Sequence, residues 1–369
     1  MTRPLKHNDL HHNLAPAKAA GLEDITAAET TLSDVDGLNG NLVLRGMRIE
    51  DLAGKLPFEN AVAHLWQELI PLPAPTLRHA FGQARLRAFS AVDSMLAADE
   101  SLSIFERMRV GLSAMTITGD DLSPPIHVSG ALPVLLASAY RIDQRQDPIA
   151  PNADLGTAHD MLRMLFDGPP ADYKIATLDR YLVTILDHGL NASTFTARVI
   201  ASTQADMRDS VVGAMSALKG PLHGGAPGPV LDMLDDIGTA DNAEAWIETE
   251  LGKGARLMGF GHRVYRTRDP RADVLKAGLA QLPQDNPKLV LAEAVEQAAL
   301  KALAKAKPDR PLDTNVEFYT AVLLDAIGID RRLFTPLFAV GRAPGWCAHV
   351  AEQQKYGKLI RPASRYVGP

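Results

Sequence analysis

The sequence predicts a mainly α-helical protein, and three observations lead to this prediction. Apolar residues recur at three- and four-residue steps through most of the 369 residues, which is the spacing of one helix face. Helix-ending signals follow some of these segments, as at Gly220-Pro221 and Pro308. A convincing β pattern is confined to one short region near the N-terminus.

That β region lies within residues 28–46. The pairs Asp36-Gly37 and Asn39-Gly40 are typical of hairpin turns, and residues 41–45 have the pattern of a short strand. The first twenty residues are polar and irregular. We expect a loosely ordered lead-in there, with His11-His12 at the surface and not binding a metal.

After this region the pattern is helical almost throughout, and apolar stripes mark the core-facing sides of successive helices. Asp99 and Glu100 lie near the expected positive N-terminal end of the second stripe. The third helix is expected to reach residues 187–189, where Gly189 suits a C-cap, and residues 191–193 can cap the next helix. The stripes run from Phe58 to Leu69, Phe105 to Met115, Ile175 to Ile185, Phe195 to Val199, Val212 to Leu218, Leu291 to Ala302 and Val322 to Ile327.

Length and composition indicate a soluble enzyme with a large and a smaller domain, because 369 residues exceed the usual size of one core. Hydrophobic residues make up 46% and charged residues 22%, which is ordinary for a globular enzyme. The net charge of −6 argues against a nucleic-acid or anionic-membrane partner. No apolar run approaches the roughly 20 residues that span a bilayer. The N-terminus lacks the apolar core of a signal peptide, and the single cysteine excludes an internal disulfide, so we expect a cytoplasmic protein.

The stretch 259–271 is the strongest candidate for a binding site. It places His262 behind a glycine pair, then four arginines within nine residues, then a helix start at Asp269-Pro270. Exposed backbone N–H groups of glycine-rich loops and guanidinium groups both bind anions. We therefore predict that this stretch forms one wall of an active site for a small polycarboxylate.

Two further segments present groups suited to acid–base chemistry. Glycine and proline flank His223, so a tight loop presents its imidazole, and the N-terminus of a helix predicted at 227–234 would favour the neutral ring. Glu317 lies beside aromatic and apolar residues, where burial would raise its pKa and suit a base near neutral pH. The spacing fits equally well an ordinary acidic residue at a helix start.

Two arginines near the C-terminus are further candidates for carboxylate binding. Arg342 and Arg361 each lie beside a glycine or proline break, where a guanidinium can form a bidentate contact. Cys347 is expected in the core rather than as a nucleophile. Because dinucleotide, phosphate-loop and zinc motifs are all absent from the sequence, a metal-free site is favoured.

The candidate residues belong to a series of short motifs, each of which occurs once. Along the chain these motifs are Leu44-Arg-Gly, Asp187-His-Gly-Leu-Asn-Ala-Ser-Thr-Phe, Lys219-Gly-Pro-Leu-His-Gly-Gly-Ala, Met258-Gly-Phe-Gly-His-Arg-Val-Tyr, Asp269-Pro-Arg-Ala, Asn315-Val-Glu-Phe-Tyr and Arg361-Pro-Ala-Ser. In order and spacing they resemble the citrate synthase family, and the likeness covers nearly the whole chain from about Gly21. The resemblance implies a mainly α fold, with a large helical domain (1–223 and 326–369), a smaller helical domain (224–325) and the active-site cleft between them. It also implies a homodimer in which Arg361 reaches the partner's site.

The resemblance implies an acyltransferase that condenses acetyl-CoA with oxaloacetate and hydrolyses the thioester to citrate and CoA, the entry to the tricarboxylic acid cycle. Glu317 aligns with the family's catalytic carboxylate, which is usually Asp. His223 would hydrogen-bond the thioester oxygen as the enolate develops, and His262 would polarise the oxaloacetate carbonyl. Oxaloacetate would be held by His188 together with three arginines that match the family's carboxylate clamps: Arg271, Arg342 and Arg361.

CoA would lie along Leu257, Met258 and Gly259, with Arg266 near its phosphates, and no cofactor besides this substrate is implied.

Three alternatives to this function remain open. Propionyl-CoA in place of acetyl-CoA would give 2-methylcitrate. The chain could also be a non-catalytic family member that binds CoA or a carboxylate, since Glu317 replaces Asp. A metal-dependent hydrolase using the same histidines would contain zinc and lose activity with a chelator.

Overall fold

The computed structural model describes Leu22 and residues 25–116, 122–224, 227–262, 264–283, 286–308, 312–364 and 366. The chain divides into two units, Met1–Thr31 and Leu32–Pro369. The described residues of the first unit contain no helix or strand. The lead-in expected over residues 1–20, with its two histidines, lies outside the described residues.

A small antiparallel sheet opens the second unit. Its strands β1 (Ser33–Asp36), β2 (Asn41–Leu44) and β3 (Met47–Arg48) are paired in the order β1-β2-β3. The predicted hairpin is confirmed, because residues 37–40 form the turn between β1 and β2. The prediction of one convincing strand missed β3, a strand of two residues that is too short to show an alternating pattern.

Helices dominate the rest of the described chain, as predicted. Three short 3-10 helices (Phe89–Ala91, Ala240–Asn242 and Arg331–Leu333) lie between longer helices. The α-helices are α1 (Ile49–Leu52), α2 (Phe58–Trp66), α3 (Ala74–Ala88), α4 (Val92–Leu96), α5 (Ile104–Ala114), α6 (Pro124–Asp143), α7 (Thr157–Phe166), α8 (Asp172–Thr184), α9 (Ala192–Ala201), α10 (Met207–Leu218), α11 (Pro227–Ile237), α12 (Ala243–Gly252), α13 (Pro270–Leu279), α14 (Pro287–Ala306), α15 (Val316–Ala326) and α16 (Phe334–Tyr356).

The structure specifies one predicted helix start more closely and corrects one predicted helix end. The N-terminus of α5 is capped by Ser103 and Glu106, which exchange hydrogen bonds in a capping box, so Asp99 and Glu100 precede the helix. Helix α8 ends at Thr184 and does not reach Gly189. Gly189 instead has a φ of +60° in the loop before α9, whose predicted cap is confirmed by the Asn191 side chain.

The breaks expected beside Arg342 do not occur, because α16 runs without interruption through Gly341, Pro344 and Gly345. A Cβ atom on Gly345 would lie 2.2 Å from the Leu186 carbonyl oxygen, and one on Gly341 would lie 2.6 Å from Cδ1 of Ile185. These glycines therefore let α16 approach residues 185–187 closely, and they do not end the helix.

The buried helix α6 lies among α3, α5, α7 and α16, and α8 packs against α13, α15 and α16. Cys347 is fully buried, as predicted. None of the described helices is long and apolar enough to cross a membrane. The boundaries proposed for the small domain, 224–325, stay a prediction.

Candidate active site

The loop that carries His262 is tied to the beginning of α15. Gly261 N donates to Asp313 O at 2.7 Å, and Asn315 N donates to Gly259 O at 2.9 Å. Gly259 has a φ of +83°, and a Cβ atom there would lie 2.8 Å from the Cβ of Phe318. Only glycine fits this conformation and this contact without strain, so the sequence itself fixes the loop beside the first turn of α15.

His262 presents a hydrogen-bond donor to the site. Its Nδ1 accepts hydrogen bonds from Val264 N at 3.0 Å and from Tyr265 N at 3.2 Å. The proton of the neutral ring therefore lies on Nε2, which is 3.3 Å from Nη2 of Arg271. Two donors that face each other in this way suit a ligand that accepts from both, such as the oxygens of a keto acid.

Arg271 is held in place by Asp269. The Asp269 carboxylate caps α13 and accepts from Nε and Nη2 of Arg271 at 3.0 and 2.8 Å. It also accepts from Val316 N at 3.1 Å, which links α13 to α15. Burial lowers the pKa of Arg271, but the Asp269 charge outweighs this and raises it overall, so the guanidinium stays charged.

His188 lies beside His262, with ring centroids 5.8 Å apart. Its Nε2 is 3.1 Å from the hydroxyl of Tyr265. Burial, together with the positive charges of Arg271 and Arg342, holds the pKa of His188 well below its usual value. The ring is therefore neutral and can act as a hydrogen-bonding group that adds no charge.

Arg342 extends from α16 and is 1% exposed. Its Nε donates to Ile185 O, while Nη2 is buried without a hydrogen-bond partner among the described residues. Burial lowers the pKa of Arg342 to about 10, which still leaves the group charged at neutral pH. A buried cation with an unfilled donor fits a carboxylate ligand.

Glu317 occupies the first turn of α15, so the interpretation as a helix-start acid is structurally correct. The interpretation as a base also fits, because burial raises the pKa of Glu317 to about 7 against the opposing charges of Arg271 and Arg342. Its carboxyl group accepts no hydrogen bond from any described residue.

His223 contacts the beginning of α9. Its Nε2 lies 2.8 Å from Oγ and 3.3 Å from the backbone N of Ser193. The backbone N–H can only donate, so Nε2 accepts and the proton of the neutral ring lies on Nδ1. Ser193 Oγ also accepts from Trp346 Nε1 at 3.2 Å. Ser193 follows His188 by five residues, so His223 contacts the same segment that carries His188.

A cavity of about 410 Å³ is lined by Leu257, Phe260, Gly261 and His262 of the same loop. Two cations, Arg256 and Lys307, also lie on its wall. Of the residues expected to contact CoA, Leu257 is therefore in the cavity wall. The others are not among its lining residues: Met258 is partly buried, Gly259 faces Phe318, and Arg266 is exposed. Arg361 is also exposed.

The structure thus brings together His188, His262, Arg271, Glu317 and Arg342 from four separate segments. Sequence reasoning missed three supporting residues. Tyr265 lies in the stretch 259–271 without a predicted role, Asp269 was predicted only as a helix start, and Ser193 only as part of a cap. A polar residue at a helix terminus beside a candidate histidine is a signal that could have identified Ser193.

No group of three or more His, Cys, Asp or Glu residues within the described ranges could hold a metal ion.

Neutral histidines, buried arginines and a carboxyl group with a pKa of about 7 fit the site of an enzyme that binds a small polycarboxylate and transfers protons. The family model described as citrate synthase, C-terminal domain, matches residues 21–363. The chain therefore belongs to the citrate synthase family of acyltransferases.

Individual relatives agree over nearly the full length. The chain is 38% identical to a putative citrate synthase 2 of Mycobacterium tuberculosis, over 95% of this chain and 92% of the relative. The crystal structure of citrate synthase from Thermotoga maritima superimposes with a TM-score of 0.83 at 35% identity, and covers 95% of each chain. A citrate synthase from Thermoplasma acidophilum, solved in ternary complex with carboxymethyl coenzyme A and oxaloacetate, superimposes with a TM-score of 0.82 at 27% identity, over 95% of this chain and 96% of that one.

Proposed function

We propose that the protein condenses acetyl-CoA with oxaloacetate and hydrolyses the resulting thioester, giving citrate and CoA at the entry to the tricarboxylic acid cycle. The observation that carries the proposal is Glu317, a carboxyl group with a pKa of about 7 that is influenced by both Arg271 and Arg342. A base for a weakly acidic methyl group works best with a pKa near the working pH.

Oxaloacetate is held by its two carboxylates and its ketone. Arg342 supplies the unfilled Nη2 donor, and Arg271 supplies a guanidinium already oriented by Asp269. The Nε2–H of His262 donates to the ketone oxygen and polarises it. His188 adds a neutral contact, and Arg361 of a second copy completes the carboxylate clamps in a homodimer.

The condensation begins when Glu317 removes a proton from the methyl group of acetyl-CoA. The thioester oxygen gains negative charge as the enolate forms, and Nδ1–H of His223 stabilises it. The enolate carbon then bonds to the ketone carbon, and the new alkoxide takes the proton from His262. The proton held by Glu317 is returned to His262, which restores both groups. Water cleaves the citryl thioester, and its two protons go to the CoA thiol and to solvent as citrate is released. A closed cleft between a small domain, 224–325, and the rest of the chain would orient both substrates.

The cavity beside Leu257 fits the second substrate. Arg256 and Lys307 are cations on its wall and His262 lines the same cavity, so a phosphorylated acyl carrier bound there can contact both the cations and the catalytic histidine. In this proposal CoA enters as a substrate, the site uses no metal or further cofactor, and the enzyme works in the cytoplasm.

Thiol release tests the proposal directly. Purified protein should release free CoA thiol only when oxaloacetate and an acyl-CoA are both present, and treatment with a chelator should not change the rate. If neither acetyl-CoA nor propionyl-CoA gives thiol, the enzymatic proposal fails and the non-catalytic alternative stands. Comparing kcat/KM for the two thioesters decides between citrate and 2-methylcitrate, because one methylene in an apolar pocket changes the barrier by about 1–3 kcal/mol.

Replacing the base tests its role. Glu317→Gln keeps the shape of the side chain but cannot accept the proton, so turnover should fall by about a hundredfold or more while oxaloacetate binding persists. Glu293→Gln, on the exposed face of α14, is a matched control and should leave the rate unchanged. Undiminished turnover in Glu317→Gln would remove Glu317 from the mechanism.

A further inference from the structure

Tyr181 has a hydroxyl group that the mechanism above does not use. The residue belongs to α8 and is completely buried, and its hydroxyl has no hydrogen-bond partner among the described residues. Burying a hydroxyl without a partner is unfavourable, and most buried polar groups in proteins are hydrogen-bonded. An unpartnered hydroxyl in this position therefore suggests a contact that forms in another state of the enzyme.

The position of α8 indicates where that contact lies. The helix packs against α13, α15 and α16, which carry Arg271, Glu317 and Arg342 respectively. Burial raises the pKa of Tyr181 well above its usual value, and the charge of Glu317 raises it further while that of Arg342 lowers it. The hydroxyl thus stays protonated and lies within electrostatic reach of the base and of one carboxylate clamp.

Only one of these two charged neighbours can accept a hydrogen bond from the hydroxyl. The guanidinium of Arg342 has donors alone, whereas the carboxylate of Glu317 has acceptor sites that no described residue fills. Glutamate also has one more rotatable bond than the aspartate usual in the family, so its carboxylate gains more from an anchoring contact. The other charged groups that act on Glu317 are Arg271, Asp269 and Arg342.

We propose that Tyr181 is a positioning residue whose hydroxyl donates a hydrogen bond to the carboxylate of Glu317 when this base is ready to accept the substrate proton. The bond would hold the carboxylate in one orientation and stabilise its charged form. This inference rests on the proposed function, in which Glu317 is the base.

Tyr181→Phe removes the hydroxyl and keeps the ring that packs between the helices. We expect kcat to fall about tenfold with little change in the KM for oxaloacetate, which is the effect of losing one hydrogen bond to a charged group. Without the donor the charged form of Glu317 is less stable, so the acid limb of the kcat profile should move to higher pH by about one unit. A purely structural role would leave that limb in place.

Tyr319→Phe is the matched control. Tyr319 lies in α15 with Glu317, but its hydroxyl donates to Glu296, so this variant should lose stability without shifting the acid limb. An unchanged limb and an unchanged kcat in Tyr181→Phe would overturn the proposal. So would a raised KM for oxaloacetate with the limb in place, because the hydroxyl would then serve the substrate.

A second measurement does not depend on activity. The pKa of Glu317 can be followed by carbon NMR in protein labelled at the glutamate carboxyl carbon, using Glu317→Gln to assign the signal. Tyr181→Phe should raise this pKa, and an unchanged value would contradict the hydrogen bond. If the wild-type protein showed no thiol release, the proposed function would fail while the titration still tested the contact.

Discussion

Asp179 has an environment that couples its charge to the stability of the fold. Its Oδ1 accepts a hydrogen bond from Phe58 N at 3.1 Å, at the first residue of α2. Burial raises the pKa of Asp179 from 3.8 to about 7, although this hydrogen bond opposes the shift. The folded state therefore holds the proton more tightly than the unfolded chain. The stability from this group is complete below pH 3.8 and is lost as the pH rises towards and through 7.

Asp179→Asn should remove this dependence, because the amide keeps an acceptor for Phe58 N and cannot ionise. We expect the variant to exceed the wild type in free energy of unfolding by about 1–3 kcal/mol at pH 8 and to lose this advantage near pH 4. Urea unfolding at the two pH values measures the difference. Asp172→Asn, at an exposed position of the same helix, should show no such gain. Equal gains in both variants would indicate a general charge effect.

The residue scale also shows what sequence can predict about a site. The motifs predicted residues that the structure places close together, such as His188 and His262. The two interpretations of Glu317 could not be separated, because its pKa depends on burial and on Arg271 and Arg342, which come from distant segments. The same limit applies to Arg342, whose unfilled donor appears only once α16 is packed.

At the scale of elements, α16 is fixed against the segment that carries His188. Arg342 Nε donates to Ile185 O, and Nε2 of His349 lies 3.2 Å from Oδ1 of Asp187. Gly345 lies between these two contacts along the helix and faces the Leu186 carbonyl oxygen. The position of Arg342 relative to His188 therefore depends on a close approach that only glycine permits.

Gly345→Ala should push α16 away from this segment. A Cβ atom would lie 2.2 Å from a backbone oxygen, and backbone atoms cannot yield as a flexible side chain can. We expect a loss of about 1–3 kcal/mol in free energy of unfolding and a higher KM for oxaloacetate. Gly252→Ala is the control: it ends α12 with nothing within 4 Å of its Cβ position and should be neutral or slightly stabilising. Equal stability of the two variants would contradict the argument.

The fold was predictable where one face of an element is buried, and less so elsewhere. Helices α5, α10 and α14 have apolar stripes and were found near their predicted positions. Helix α6 was missed because it is buried on nearly all sides, so its apolar residues show no one-sided period. The expected break in α16 was wrong for a related reason, since glycine and proline mark helix ends only when packing does not require them.

At the scale of the whole molecule, the described site lacks one of its expected arginines. Arg271 and Arg342 are buried and their charges act on Glu317, whereas Arg361 is exposed. Ile360 N donates to Ser202 Oγ at 3.1 Å, so the segment before Arg361 is attached next to α9. An exposed arginine on an anchored segment fits the proposal that Arg361 serves the site of a second copy.

Mixing two inactive variants tests this arrangement. In a dimer of one Glu317→Gln chain and one Arg361→Ala chain, an exchanged Arg361 places both defects in one site and leaves the other site intact. Random reassortment then makes half of the dimers mixed, each with one working site, so about a quarter of the wild-type activity should return. If Arg361 acted within its own chain, every site would keep one defect and no activity would return. The variants should be unfolded and refolded together, with a mixture of separately refolded variants as the control that stays inactive.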